Sequence, residues 1–103
     1  FNMPRGMVVV GSDIYVADTG NHAIRKIDAL GNVTTMAGTG KRGFDRNPNG
    51  IGTAVALASP WDLELIEGGK ALAIANAGTH QFWRYDLATG AISVLAGNGR
   101  EDI

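Results

Sequence analysis

The chain has two histidines, and both stand at the same point of a repeated phrase. Residues 17–28 read ADTGNHAIRKID and residues 75–86 read ANAGTHQFWRYD, so His22 and His80 correspond at a spacing of 58 positions. Imidazole is a common metal ligand and a common general base, so a recurring histidine could mark a reactive site. Histidines of adjacent structural units lie too far apart, however, to share zinc bonds of about 2.0–2.1 Å. We therefore predict a structural role for both rings, each hydrogen-bonding a neighbouring loop.

Short polar side chains accompany each histidine. They are Asp18 and Asn21 in the first phrase, and Asn76 and Thr79 in the second. Such side chains can hydrogen-bond the backbone of their own turn, and Asn tolerates left-handed backbone geometry. The same residues could instead contact a ligand at the rim of a binding surface. Both interpretations stay open on the sequence.

A second set of candidate binding residues consists of Arg5, Trp61, Asp62, Lys41 and Arg42. Lys41 and Arg42 open the stretch KRGFDR, residues 41–46, which places three positive charges around one aromatic residue. An acidic residue interrupts that stretch and the net charge is −1, so nucleic acid is not an expected partner. GTGKRG does not match a phosphate-binding Walker loop, which needs Ser or Thr after the Lys and then a helix.

Composition bounds what these residues can do. The chain has 103 residues, 45% of them hydrophobic, which allows one small domain with a packed core. Without cysteine there is no disulfide framework, thiolate metal site or cysteine nucleophile. The apolar runs are too short to span a bilayer, so we expect a soluble protein, in a compartment that the sequence leaves undecided. No cofactor is predicted.

Short apolar and β-branched runs between frequent glycines predict an all-β fold. The run GMVVV reads as a strand buried on both faces, and the phrase after each turn reads as a strand that begins at the histidine. Four strands are predicted in each copy: residues 6–10, 14–18, 22–28 and 33–38, then 61–65, 71–76, 80–86 and 91–97.

The organisation follows from this repetition: a first unit at residues 1–40, a long connection at 41–56, and a second unit at 57–103. A connection of that length is functional or disordered in most domains. Four apolar residues of the Gly-rich stretch 39–59, which contains the connection, predict partial packing against the two units: Phe44, Ile51, Val55 and Leu57. Three aromatic residues of the second unit are predicted to pack between units: Trp61, Phe82 and Trp83. Trp61 could instead face the opening of a central channel, because it follows Pro60 at the entry to an inner strand.

Four strands in about forty residues, repeated, are typical of β-propeller blades. We therefore predict an all-β propeller fragment of two four-stranded antiparallel blades. Propellers close with roughly 4 to 8 blades, so two cannot form a ring. We expect either self-association, three copies closing six blades, or neighbouring blades of a longer parent chain, which the non-Met first residue Phe1 also favours.

Strand order predicts which side chains share a surface. The entry to a blade's first strand and the loop between its second and third strands lie at the same end, which we call the loop face. It should carry Arg5, Asp18, Asn21, Trp61, Asp62, Asn76 and Thr79, together with the long connection that includes Lys41 and Arg42.

The chain resembles the NHL-repeat family, named for Asn-His-Leu. DTGNHAIRKID carries Asn21, His22 and Ile24 in the family's blade motif, and MPRGMVV and TTMAGTG are similar to its opening and closing strands. The second copy departs, with Thr79 for Asn21 and Asn76 for Asp18. SPWDLEL, ANAGTHQFW and the long connection resemble the NHL proteins that carry a thioredoxin-like domain. The resemblance implies that this domain, with its redox cysteines, lies outside these residues.

The expected function is non-catalytic: a propeller module for protein or ligand binding or for scaffolding. The alternative is a piece of a metal-dependent propeller hydrolase or lyase. Such an enzyme would need carboxylates and histidines converging on the central channel, and Asp62 and Glu64 are the plausible contributors.

Overall fold

The computed structural model describes residues 1–43, 48 and 50–96, and over these it is built of antiparallel β-strands joined by short turns. The first sheet, blade 1, has the order β1-β2-β3-β4, and the second, blade 2, has the order β5-β9-β8-β7-β6. The strands of blade 1 are β1 Pro4–Val10, β2 Asp13–Asp18, β3 Ala23–Ile27 and β4 Val33–Ala37. Those of blade 2 are β5 Gly50–Ile51, β6 Pro60–Ile66, β7 Ala71–Asn76, β8 Gln81–Asp86 and β9 Ala91–Ala96. The predicted all-β propeller-type fold is confirmed.

Blade 2 has one strand more than predicted, and it comes from the long connection. The two-residue β5 pairs with the start of β9, at the end of the sheet opposite the loop face. The turn that follows ties both blades together: Gly52 N–H donates to the Gly90 carbonyl at 2.8 Å, and Gly38 N–H donates to the Gly52 carbonyl at 3.3 Å. Gly52 is required there, because its φ is +46° and a Cβ would lie 2.7 Å from the Met36 carbonyl oxygen. This part of the connection therefore lies away from the loop face.

The predicted apolar anchors of the connection behave differently from one another. Val55 and Leu57 are buried in the core, whereas Ile51 is 61% exposed. Phe44 lies outside the described residues, as do Gly97 at the end of the last predicted strand and residues 98–103. The burial of Val55 and Leu57 secures the chain just before it enters β6.

The expectation that β1 is buried on both faces is wrong. Met7 and Val9 are 67% and 61% exposed, while Val8 and Val10 are partly buried against the core. The strand is buried on one face because blade 2 covers only that side of blade 1. An unbroken Val run hides this alternation from the sequence.

The hydrophobic core fills the junction between the blades. Tyr15, Ala17 and Ile24 of blade 1 belong to one cluster with Leu63, Ile74 and Trp83 of blade 2. Trp83 is fully buried there, as predicted, but Phe82 is 47% exposed, because adjacent strand residues face opposite sides of a sheet. Within the described residues no helix is long and apolar enough to cross a membrane.

Candidate binding face at the blade junction

The turn after β2 is organised around the Asp18 carboxylate. Asp18 is fully buried, and its Oδ1 accepts the Asn2 N–H at 2.7 Å. Its Oδ2 accepts from Asn21 Nδ2 at 2.9 Å and from Arg25 Nε at 3.0 Å. Burial alone raises the pKa of Asp18, but the hydrogen bonds from Asn2, Asn21 and Arg25 outweigh it and hold the pKa below its ordinary value. The carboxylate therefore fastens the residues before β1 to the turn.

The turn after β7 repeats this arrangement with an amide. Asn76 Oδ1 accepts the Ala58 N–H at 2.9 Å, and Asn76 Nδ2 donates to Thr79 Oγ1 at 3.1 Å. Asn76 and Thr79 are buried. In both blades a turn glycine also donates to the approaching segment at 2.8 Å, Gly20 to the Asn2 carbonyl and Gly78 to the Ala58 carbonyl. The burial of Asp18, Asn76 and Thr79 favours the turn-holding interpretation of these residues over direct contact with a ligand.

His22 joins blade 1 to blade 2. It lies in left-handed backbone conformation, φ +51°, at the end of the turn Thr19–Asn21, so β3 begins one residue later than predicted. Its Nδ1 accepts the Ser59 N–H at 2.9 Å, and Thr19 Oγ1 donates to the Pro60 carbonyl at 2.5 Å. The ring thus bonds a neighbouring segment of backbone. His80 has the same left-handed conformation, φ +55°, after the turn Ala77–Thr79.

Arg5 and Trp61 meet at the mouth of the junction. The guanidinium carbon of Arg5 lies 4.3 Å from the centre of the Trp61 ring, a cation–π contact, and both side chains are exposed. Asp62 is exposed beside them and accepts the Leu63 N–H through Oδ1 at 2.9 Å. The structure therefore brings Arg5, Trp61 and Asp62 together at one end of the blades. Asn21, which binds Asp18, is half-buried.

Lys41 and Arg42 are exposed. Gly43 N–H donates to the Leu57 carbonyl at 2.7 Å, which attaches their segment to the residues that lead into β6. The remaining charged residues of the stretch, Asp45 and Arg46, lie outside the described residues.

A groove of about 510 Å³ opens beside Trp61 on the side of blade 2 that faces away from blade 1. Its walls include Trp61, Ala75, Asn76, His80 and Phe82. Blade 1 carries a second groove, of about 390 Å³, that includes Pro4, Arg5, Gly6 and Met7 among its walls. The sequence did not reveal Phe82 or Ala75 as surface residues, although the exposure of Phe82 follows from its position next to buried Trp83.

A charged cluster lies at the opposite end of blade 2. Arg84 donates to both carboxylate oxygens of Glu67, at 2.7 and 2.8 Å, and to Asp86 at 3.2 Å. The hydrogen bond from Arg84 lowers the pKa of Glu67. Over the part of the chain that the structure describes, no three His, Cys, Asp or Glu side chains converge as a metal site would require.

The two adjoining antiparallel sheets are a pair of β-propeller blades. Each begins with a Pro-x-Gly or Pro-x-Asp strand, and each has the same kind of turn between its second and third long strands. The NHL repeat model matches residues 1–27. Suppressor of quenching 1 of Arabidopsis thaliana, a protein whose name marks it as chloroplastic, is 41% identical over 98% of this chain. The NHL repeat-containing protein 2 of Homo sapiens and that of Gallus gallus are 38% and 39% identical over 99% of it. The chain belongs to the NHL-repeat family.

The relatives are much longer than this chain. It spans 10% of the Arabidopsis protein and 16% of the human one. What a whole protein of this kind does is therefore a matter for proposal.

Proposed function

We propose that this chain is a non-catalytic propeller module that binds a protein partner on its loop face, with Arg5 and Trp61 at the centre of contact. The observation that carries the proposal is the exposed cation–π pair at the junction mouth. Trp61 keeps 49% of its surface exposed although its cationic neighbour is 4.3 Å away. Trp and Arg are the side chains enriched among the residues that dominate binding energy in protein interfaces.

The chemistry of the pair indicates what the partner offers. A guanidinium stacked on an indole still has N–H donors at its edge, and these match a carboxylate. Exposed Lys41 and Arg42 would add positive charge near the lead into β6. We therefore expect the partner to present a segment with acidic side chains next to an apolar one.

The module needs further blades to complete a ring. Exposed apolar side chains lie on the free side of each blade, Met7 and Val9 on blade 1 and Phe82 and Leu95 on blade 2. Neighbouring blades of a longer chain would cover them, and so would further copies of this chain. Three copies would supply six blades, within the range at which propellers close.

The test is a titration of labelled peptides followed by fluorescence anisotropy. The acidic probe carries alternating Glu around one Leu, and its matched control replaces every Glu with Lys. We expect the acidic probe to bind, and Arg5→Ala and Trp61→Ala each to weaken binding at least about 10-fold, the loss of one dominant contact. Lys70→Ala, an exposed charge at the opposite end of blade 2, should leave affinity unchanged. Equal binding by all variants, or no binding of the acidic probe, would refute this function.

A further inference from the structure

The hydrogen bond between His22 and Ser59 determines the protonation state of the histidine ring. A backbone N–H can only donate, so His22 Nδ1 accepts the Ser59 N–H at 2.9 Å through an unshared electron pair. The ring is therefore the neutral tautomer that carries its proton on Nε2. An imidazolium has a hydrogen on both nitrogens and cannot accept this bond.

This bond connects the two blades, because its partners are held by different sheets. His22 ends the turn after β2 of blade 1. Ser59 is held by blade 2: its carbonyl accepts the Ala77 N–H at 3.2 Å, and the Ala58 N–H beside it donates to Asn76 Oδ1 at 2.9 Å. If the ring no longer accepts the bond, Ser59 therefore stays with blade 2, and the separation falls between the blades.

The proposed binding pair spans the same boundary. Arg5 lies in β1 of blade 1, and Trp61 lies in β6 of blade 2, two residues after Ser59. The distance of 4.3 Å between the guanidinium carbon and the centre of the indole ring depends on how closely the blades approach at this end. They are close, since a Cβ on Gly6 would lie 2.7 Å from Asp62 Cα. A small movement of one blade away from the other would end the stacking.

We propose that protonation of His22 opens the junction at its mouth and separates Arg5 from Trp61, so that the loop face loses its binding site in acid. A proton from solvent on Nδ1 places a second N–H opposite that of Ser59, and two donors at hydrogen-bond distance repel each other. This regulation rests on the partner binding described under Proposed function. It adds the condition under which the binding pair exists.

The imidazole is the group at this place that changes charge between pH 7 and pH 5. Arginine and lysine side chains keep their charge over that range, and carboxyl groups are titrated near pH 4. Asp18 forms an ion pair with Arg25 at 3.0 Å, and hydrogen bonds hold its pKa below the ordinary value. The charged side chains of the elements that meet at this end are Arg5 of β1, Asp18 of β2, Arg25 of β3, Asp62 of β6 and, on the segment hydrogen-bonded to Leu57, Lys41 and Arg42.

The second histidine has to be distinguished from the first. His80 is also an imidazole, and it lies with Trp61 on the groove of about 510 Å³. Both residues belong to blade 2, so a charge on His80 does not act between the blades. The experiment therefore includes a variant at each histidine.

Two features keep the opening local. Thr19 Oγ1 donates to the Pro60 carbonyl at 2.5 Å, and neither group titrates between pH 7 and pH 5. Behind this bond the blades share an apolar cluster that includes Ala17, Ile24 and Leu63. We therefore expect the chain to stay folded at pH 5 while the mouth of the junction opens, which the circular dichroism spectrum checks.

The test compares NMR spectra of the chain at pH 7 and pH 5 without any ligand. The Ser59 amide should exchange at least about 5-fold faster at pH 5, after correction for the intrinsic pH dependence, because one net hydrogen bond is lost. The indole N–H signal of Trp61 should move toward its position in Arg5→Ala. Trp61→Phe identifies that signal, since it leaves only the indole of Trp83. Both changes should share their midpoint with the titration of the His22 ring.

His22→Asn is the matched variant. Asn tolerates left-handed backbone, and its Oδ1 can accept the Ser59 N–H, but its amide does not titrate. We expect the Ser59 and Trp61 signals of His22→Asn to be the same at both pH values, whereas His80→Asn should respond to pH as wild type does. A wild-type Ser59 amide unaffected by pH, a midpoint that differs from that of the His22 ring, or a response that persists in His22→Asn would overturn the proposal. So would a response that disappears in His80→Asn.

Binding of the acidic peptide is measured separately at both pH values. Its Glu side chains, with an ordinary pKa of about 4.3, stay mostly ionised at pH 5. The affinity of wild type should fall at least about 5-fold at pH 5, as the loss of one contact residue implies, and that of His22→Asn should not change. Tighter binding at pH 5 would mean that the added positive charge outweighs the loss of the pair, and would overturn the regulation. If the peptide does not bind at pH 7, the proposed function fails, while the NMR result still decides whether His22 opens the junction.

Discussion

At the scale of single residues, the turns before His22 and His80 differ in the side chain that organises them, a carboxylate at Asp18 and an amide at Asn76, and this difference affects stability in acid. The Asp18 carboxylate has a lowered pKa because hydrogen bonds from Asn2, Asn21 and Arg25 outweigh the effect of its burial. A lowered pKa in the folded state means that the unfolded chain binds a proton more readily, at its ordinary pKa of about 3.9. Folding stability from Asp18 is therefore complete above that pH and is lost as the pH falls through the folded-state value.

We predict that Asp18→Asn lowers the urea midpoint at pH 7 and narrows the difference in midpoint between pH 7 and pH 3. The loss at pH 7 should be about 1.5–3 kcal/mol, since charged hydrogen bonds to Arg25 and Asn2 are replaced by those of an amide. Part of the pH dependence should remain, because hydrogen bonds also lower the pKa of Asp28 and Asp86. If the urea midpoints at pH 7 and pH 3 differ as much in Asp18→Asn as in wild type, Asp18 is not a source of the pH dependence.

The reciprocal change, Asn76→Asp, is the matched control. This substitution buries a carboxylate at the position in blade 2 that corresponds to Asp18. Blade 2 has Trp83 where blade 1 has Arg25, so no arginine compensates the charge. Burial without a cation raises a carboxyl pKa, so the stability of this variant should fall as the pH rises from 4 to 7. We therefore expect the urea midpoint of Asn76→Asp to be lower at pH 7 than at pH 4. The pH dependence would then have the opposite sign to that of wild type.

At the scale of elements, alternation and punctuation in the sequence predict the larger strands well. The strands around the two turns lie within one or two residues of the predicted ranges, because glycines and short polar residues end each apolar run. β5 could not be predicted, since a two-residue strand has no periodicity and depends on finding Ile92 across the sheet. The exposed face of β1 was missed because every residue in VVV is apolar. Whether Met7 and Val9 are buried depends on whether another blade lies against that face of β1.

The turn after β2 also acts as an element, since it connects the blades through His22. Replacing His22 with Phe keeps an aromatic ring but removes the acceptor of the Ser59 N–H. Leaving that partly buried donor unsatisfied should cost about 1–3 kcal/mol. We expect a lower urea midpoint and a faster hydrogen exchange of the Ser59 amide. Unaltered exchange at Ser59 would show that the ring does not protect it.

At the scale of the whole molecule, the sequence predicted the two blades and the residues on their shared face, but it did not predict the contacts between the blades. Strand order alone predicted that Arg5, Trp61 and Asp62 share the loop face, but the Arg5–Trp61 contact itself is seen only in the structure. The sequence could not show that His22 binds Ser59, because the two are 37 residues apart and meet only once both blades are packed. Contacts between the blades also depend on how closely the two backbones can approach each other.

Gly6 is a position where the backbone of blade 1 lies close to that of blade 2. A Cβ on Gly6 would lie 2.7 Å from Asp62 Cα and 3.0 Å from the Leu63 nitrogen, and these backbone atoms can move only if the blades separate. We predict that Gly6→Ala destabilises the chain by about 1–3 kcal/mol, as overpacking does elsewhere, and increases hydrogen exchange at Ser59 in the same junction. Gly50→Ala is the control, since its added methyl meets only the tip of the Val55 side chain. If both variants unfold at the same urea concentration, the junction tolerates separation and Gly6 does not determine the blade spacing.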